Sequence, residues 1–212
     1  MGSRARRPVV PHANRIRFSF PAARAGVDDP AREAAHSGGK PLRRAADFVA
    51  IDFETANVSR DSACAVGLVR VAGGRIVATA AHLIRPPTPE FRFTYIHGLT
   101  WADVVEAEDF GALWPTLSAF LDGAAFLAAH NASFDRSVLA ACCARYGVKP
   151  PPLPFRCTVQ ISREAWGIFP TRLSDVCREL GIALNHHEAL SDAMACARIM
   201  IAAEKLFATV ES

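Results

Sequence analysis

The chain of 212 residues is half hydrophobic and carries a formal net charge of only +3, which suits one domain with a sizeable core plus a tail and excludes a uniformly charged, unfolded polymer. Its charge is uneven: residues 1–46 hold ten Lys or Arg and three Asp or Glu, a net of +7, whereas the remainder holds 14 and 18, a net of −4. A mildly acidic body argues against broad non-specific binding of nucleic acid by the domain itself.

Residues 1–44 are rich in Arg, Ala, Pro and Gly with no sustained period of 2 or 3.6, and such a segment cannot bury enough apolar surface to fold. It reads as a disordered basic N-terminal tail ahead of a domain at 45–210. Three roles fit it: a neutral extension, a basic arm for phosphates, or an Arg-rich targeting peptide. The pattern then predicts a strand over 47–54, a second over 63–71, a hairpin turn at Gly73-Gly74 and a third strand over 75–84, together an antiparallel meander. Pro86, Pro87 and Pro89 break the chain. Phe110, Leu113, Leu117, Phe120 and Leu121 have helical spacing within 109–121, a short buried strand follows at 124–129, and a helix at 133–146 stops at Gly147. Beyond Pro150-Pro151-Pro152, a helix at 173–180 is capped by Gly181 and a long last helix covers 189–207. A meander followed by alternating helices and strands implies a mixed sheet covered by helices. No apolar stretch reaches membrane-spanning length. The six cysteines show no C-x-x-C pair or zinc-like spacing, so they read as reduced core residues of a cytoplasmic protein.

The first strand ends in Asp52 and Glu54, spaced i and i+2. On a strand both project from one face while Ile51 and Phe53 point to the other. Two like charges side by side need a cation between them, for which a hard divalent metal bound through oxygen is the usual solution, or else they are simply solvated. Asp135 falls just past a buried strand in the first turn of a helix, where α/β sheets place ligand groups and where an acid also complements the helix dipole. Asp192 lies on the apolar side of the last helix with Leu190, Ala193, Ala197 and Ile201, and an acid facing a core needs a metal or a cation. His187 precedes it by five residues, near the helix start, as a cap, a surface residue or a base, with His186 beside it.

Asp52-x-Glu54-Thr55, His130-Asn131-x-x-Phe134-Asp135 and His187-x-Ala189-Leu190-x-Asp192-Ala193 resemble, in order and spacing, the three motifs of the DnaQ-like 3′-to-5′ exonucleases. The histidine five residues before the last aspartate resembles the DEDDh branch, which includes the epsilon subunit of bacterial DNA polymerase III. The resemblance covers about 47–207. It implies a ribonuclease H-like α/β fold, a mixed five-stranded sheet with helices on both faces. It also implies that Asp52, Glu54, Asp135 and Asp192 hold two divalent ions, Mg²⁺ or Mn²⁺, for an in-line displacement at phosphorus, with His187 as general base. The product would be a nucleoside 5′-monophosphate released from a 3′ end, of single-stranded DNA in the first instance. Thr55, Leu99 and Phe134 would flank the terminal nucleotide, with Tyr95 to Thr100 resembling the loop laid against it. The implied partner is nucleic acid with a free 3′ end and no membrane. A homodimer or a replication or repair partner stays open, although little chain after the last helix favours a stand-alone exonuclease over a standard epsilon subunit.

Two rivals keep the same family: a catalytically silent module that binds 3′ ends, and an RNA-directed 3′-to-5′ exoribonuclease. A glycosidase-like use of Asp52 and Glu54 fits poorly, because neighbours on one strand face cannot flank a sugar from two sides.

Overall fold

Near-continuous apolar runs early in the domain produce β1 (Phe48–Thr55) and β2 (Ala63–Ala72), buried along most of their length, and the edge strand β3 (Arg75–Leu83) follows, largely exposed. The computed structural model describes residues 46–210, so the expected disordered tail at 1–44 lies outside the described residues. Gly73 and Gly74, at φ 56° and 72°, supply the left-handed turn between β2 and β3. Two single-turn helices follow the prolines, α1 (Thr94–His97) and α2 (Trp101–Val104). Then comes α3 (Phe110–Leu121), capped by Asp109, whose carboxylate accepts the Ala112 N–H at 2.9 Å. The remaining elements are β4 (Phe126–Ala129), α4 (Ser133–Arg145), β5 (Phe155–Cys157), α5 (Thr158–Trp166), α6 (Leu173–Leu180) and α7 (Ala189–Val210).

The five strands lie in the order β3-β2-β1-β4-β5. Antiparallel pairing joins β1, β2 and β3, and parallel pairing joins β1 to β4 and β4 to β5, as a mixed sheet requires. Alternation along β1 sorts its side chains between two cores. Val49, Ile51 and Phe53 pack with Phe110, Leu113 and Leu117 of α3 and Val138 and Leu139 of α4. Phe48 and Ala50 face the other way, into a core with Val176 of α6 and Ala193, Ala197 and Met200 of α7. There the Phe48 and Phe126 rings stack at 4.9 Å. Each fully buried large side chain is worth about 1.5–3 kcal/mol of transfer free energy, so helices on both faces are a condition of the sheet's stability.

The structure departs from the sequence expectation at short elements. The strand read as 124–129 begins only at Phe126, because Ala124 N–H still closes the turn out of α3 onto the Leu121 carbonyl. Neither β5 nor α5 is predicted. Three residues are too few to show a period, and β5 exists because Phe155 and Cys157 pair in register with Leu127 and Ala129. No described helix is long and apolar enough to cross a membrane. None of the six cysteines is disulfide-bonded.

Candidate active site

Asp52 and Glu54 continue the Phe48–Ala50 face of β1 past the point where that face is apolar, so they project toward α7. The start of α7 comes unusually close there. Gly67 of β2 is the cross-strand partner of Asp52, and a Cβ on Gly67 would lie 2.2 Å from the Ala189 carbonyl oxygen. Only a residue without a side chain permits that approach. It brings Asp192, in the first turn of α7 and 4% exposed, to the carboxylates of β1. Ligand oxygens of Asp52, Glu54 and Asp192 lie within 4.8 Å of one another.

Asp135 reaches the same region from the opposite core. β4 pairs with β1 only as far as Ala50, which releases the backbone beyond it. The Phe53 N–H donates to Asp135 Oδ1 at 3.0 Å. Asp135 therefore stands beside the three-residue cluster, tied to the strand that carries Asp52 and Glu54.

The electrostatics show four acids crowded together, offset only in part by Arg60 at Asp135 and the two histidines at Asp192. Burial first, then Asp135, Asp192 and Glu54, push the Asp52 carboxyl well above its ordinary range. Burial and Asp192 lift Glu54 to about 7. Asp135 is raised by burial, against the opposing pull of the Phe53 N–H and the Arg60 charge. Asp192 is raised by burial, with His186 and His187 pulling it back. Asp192 Oδ1 is buried with no hydrogen-bond partner. An orphaned carboxylate oxygen among oxygen donors whose carboxyls burial pushes above their ordinary range fits a hard divalent cation.

Both histidines gather at Asp192. His186 Nδ1 lies 3.0 Å from Asp192 Oδ2, and the His187 backbone N–H donates to the same oxygen at 3.2 Å. The two rings stack at 3.7 Å. His187 sits at φ 68°, a left-handed conformation uncommon for a side-chain-bearing residue, held here by its backbone bond. Its imidazole is exposed, with one face against His186. Burial and the neighbouring His186 lower its pKa, so it is neutral near pH 7.

A cleft of about 430 Å³ opens between this histidine pair and the loop after α1, lined among others by Ile96, His97, Leu99, His187 and Leu190. Leu99 is anchored from beneath by Ala56, Cys64 and Val104. Thr55 and Phe134 do not line this cleft; Thr55 is buried beside Glu54, and Phe134 packs half-buried against the α3/α4 core. Two supports are absent from the sequence reading. His97 Nδ1 accepts the Leu99 N–H at 3.1 Å while Nε2 donates to the Thr55 carbonyl at 3.2 Å, which fixes a neutral tautomer. His130 accepts at Nδ1 from Thr158 at 2.8 Å and donates from Nε2 to the Thr171 carbonyl at 3.0 Å. Both histidines are visible in the sequence, but nothing local names their partners.

Comparison with known proteins matches residues 49–200 to the RNase T exonuclease family model. Exodeoxyribonuclease 10 of Escherichia coli is 30% identical over 162 residues, covering 71% of this chain and 66% of the relative. The structure of exonuclease X in complex with 5′ overhanging duplex DNA superposes with a TM-score of 0.62 at 25% identity, covering 74% of this chain and 91% of that one. The nuclease domain of 3′hExo, a DEDDh family member bound to rAMP, shares the fold at a TM-score of 0.66 and 17% identity, over 75% and 92% of the two chains. The chain spans 11% to 66% of the length of the curated relatives it matches. The architecture held in common is ribonuclease H-like, a mixed five-stranded sheet with helices on both faces.

Proposed function

Since the chain belongs to the RNase T exonuclease family, we propose that it is a metal-dependent 3′-to-5′ exonuclease that shortens a DNA strand from its 3′ end and releases nucleoside 5′-monophosphates. The catalytic unit is residues 45–210. The observation that carries this reading is the triplet Asp52, Glu54 and Asp192 with oxygens mutually within 4.8 Å, together with the partnerless buried Asp192 Oδ1. Asp52, Glu54, Asp135 and Asp192 hold two divalent ions, Mg²⁺ or Mn²⁺, since crowded carboxylates select hard cations. When bound, such ions supply positive charge for the attacking and leaving oxygens of an in-line displacement.

The protein's own groups do the rest. His187, neutral near pH 7, takes the proton of the attacking water. His186 holds Asp192 Oδ2 and so orients that carboxylate. Leu99, set by the His97 bridge, packs against the terminal base or sugar in the cleft, whereas Thr55 and Phe134, which lie outside that cleft, would meet the terminal nucleotide only from the side of the carboxylates. Contacts of this kind carry little base preference, because every base presents an apolar face.

A DNA strand is favoured because exonuclease X, at 25% identity, was solved on duplex DNA and a 30% identical relative is an exodeoxyribonuclease. Six unpaired cysteines accord with a reducing cytoplasm. The test uses a 5′-labelled single-stranded DNA and its RNA counterpart with Mg²⁺ or Mn²⁺, beside EDTA and Asp52→Ala controls. A ladder shortening from the 3′ end of the DNA, absent from both controls, is expected. Degradation of RNA alone would reassign the substrate, and no degradation by folded, metal-binding protein would leave a silent 3′-end-binding module.

A further inference from the structure

The connection between β1 and β2 is a built loop rather than a slack one. Ala56 N–H donates to the Ser62 carbonyl at 2.8 Å, Ser62 Oγ to the Ser59 carbonyl at 2.6 Å, Ser59 N–H to Asn57 Oδ1 at 2.9 Å and Asn57 Nδ2 to the Glu90 carbonyl at 2.9 Å. Opposite charges stand side by side at its tip, Arg60 and Asp61, yet they do not pair. Asp61 is taken by Arg145, whose Nη1 lies 3.0 Å from Oδ2, and by the Ser59 hydroxyl on Oδ1.

Arg60 is left over. It is exposed, and its guanidinium carbon sits 4.6 Å from the centroid of the Phe134 ring. Among the described residues it forms no ion pair. Its charge nevertheless reaches Asp135, the neighbour of Phe134 in the chain. Were its task to neutralise the acid cluster, it would close onto a carboxylate; instead its guanidinium carbon lies over the ring of Phe134, the residue before Asp135. Over that ring the guanidinium has no carboxylate partner among the described residues, and its N–H donors match the paired oxygens of a phosphate.

We propose that Arg60 is a substrate-binding residue, laid on Phe134 so that its free N–H groups grip a phosphate of the nucleic-acid strand whose 3′ end reaches the carboxylates. This rests on the exonuclease reading for the identity of the strand, and on the loop geometry for the rest. The diversion of Asp61 to Arg145 is what keeps the grip available. A cation whose charge reaches Asp135 also offsets the repulsion that an acidic domain exerts on an incoming polyanion.

The test measures binding without turnover, on the full chain and its Arg60→Gln and Arg60→Lys variants. The probe is a 5′-fluorescein-labelled single-stranded DNA in Ca²⁺, read by anisotropy across a salt series. Loss of one phosphate contact flattens the plot of log affinity against log salt by about 0.7 for a single strand, a change that a merely structural role would not produce. Arg60→Gln is expected to show that flattening and binding weaker by roughly fivefold to tenfold, with KM raised more than kcat falls in Mg²⁺. Arg60→Lys should keep the slope and lose part of the affinity, having the charge without the planar fork. Unchanged affinity and slope in Arg60→Gln would overturn the proposal and leave a surface cation resting on Phe134. A fall in kcat alone would overturn it too, tracing the effect to Asp135. Wild-type protein that binds with the full slope but cleaves nothing would refute the exonuclease reading while leaving the Arg60 assignment standing.

Discussion

Replacing Gly67 by Ala should disable the site from a position that carries no chemistry. The added Cβ would meet the Ala189 carbonyl oxygen at 2.2 Å, its carbon at 2.3 Å and the Leu190 nitrogen at 2.5 Å, where ordinary contacts begin at 3.4 Å. All three atoms are backbone at the start of α7, so no rotamer change relieves the overlap. The helix start must back away from β2 by about 1 Å, and Asp192, within the same turn, moves with it relative to Asp52 and Glu54. Displacements of about 1 Å in a reacting constellation cost roughly 10²-fold in rate. Overpacking costs about 1–3 kcal/mol, which for a domain of this size lowers the melting temperature by roughly 2–12 °C. The assay pairs kcat for 3′-end release from a 5′-labelled strand with a thermal melt. Gly111→Ala is the control: its Cβ would meet Tyr146 Cδ1 at 2.7 Å, a side chain in the α3/α4 core, so it should destabilise while holding most of the activity. Gly67→Ala with kcat within about twofold of wild type would refute the claim that this close approach positions Asp192.

Metal-free protein should show a pH-dependent cost of its crowded acids. Glu54 is raised from 4.5 to about 7, so its folded form binds more protons than the unfolded chain between those values, and its contribution to stability is lost as pH rises through that window. In EDTA, wild type should therefore lose stability relative to Glu54→Gln from about pH 4.5 to 7, and saturating Mn²⁺ should abolish the loss; a gain over that range would contradict the sign. His187→Ala should lower kcat by roughly 10²–10⁴ and remove the acidic limb of the rate–pH profile, which lies below pH 6.5 because the His187 pKa is lowered. His186→Ala should weaken metal binding more than it slows the saturated enzyme, and the opposite ranking of the two variants would make His186 the base. His97→Ala leaves the Leu99 N–H and Thr55 carbonyl without their bridge, at about 1 kcal/mol each. It should raise KM several-fold with a smaller change in kcat, and an unaltered KM would detach the Leu99 loop from substrate binding.

The sequence alone determined what repeats locally. Alternation along 48–55 dictated that Asp52 and Glu54 share a face, and helical spacing after Ala189 put Asp192 on the apolar side of α7. Spacing between the three motifs was enough to reach the family, because ligand order along the chain is preserved when loop lengths vary. What it left open depends on pairs far apart in the chain. The tie from Phe53 N–H to Asp135 spans 82 positions, the bridge from His97 to Thr55 spans 42, and β5 owes its existence to β4. Tertiary structure also divided roles between adjacent residues of like or opposite chemistry. His186 takes the Asp192 side-chain contact and His187, turned by its positive φ, takes the backbone one. Asp61 goes to Arg145, leaving Arg60 free. No periodicity distinguishes neighbours one residue apart; only the direction in which the folded backbone points each of them does.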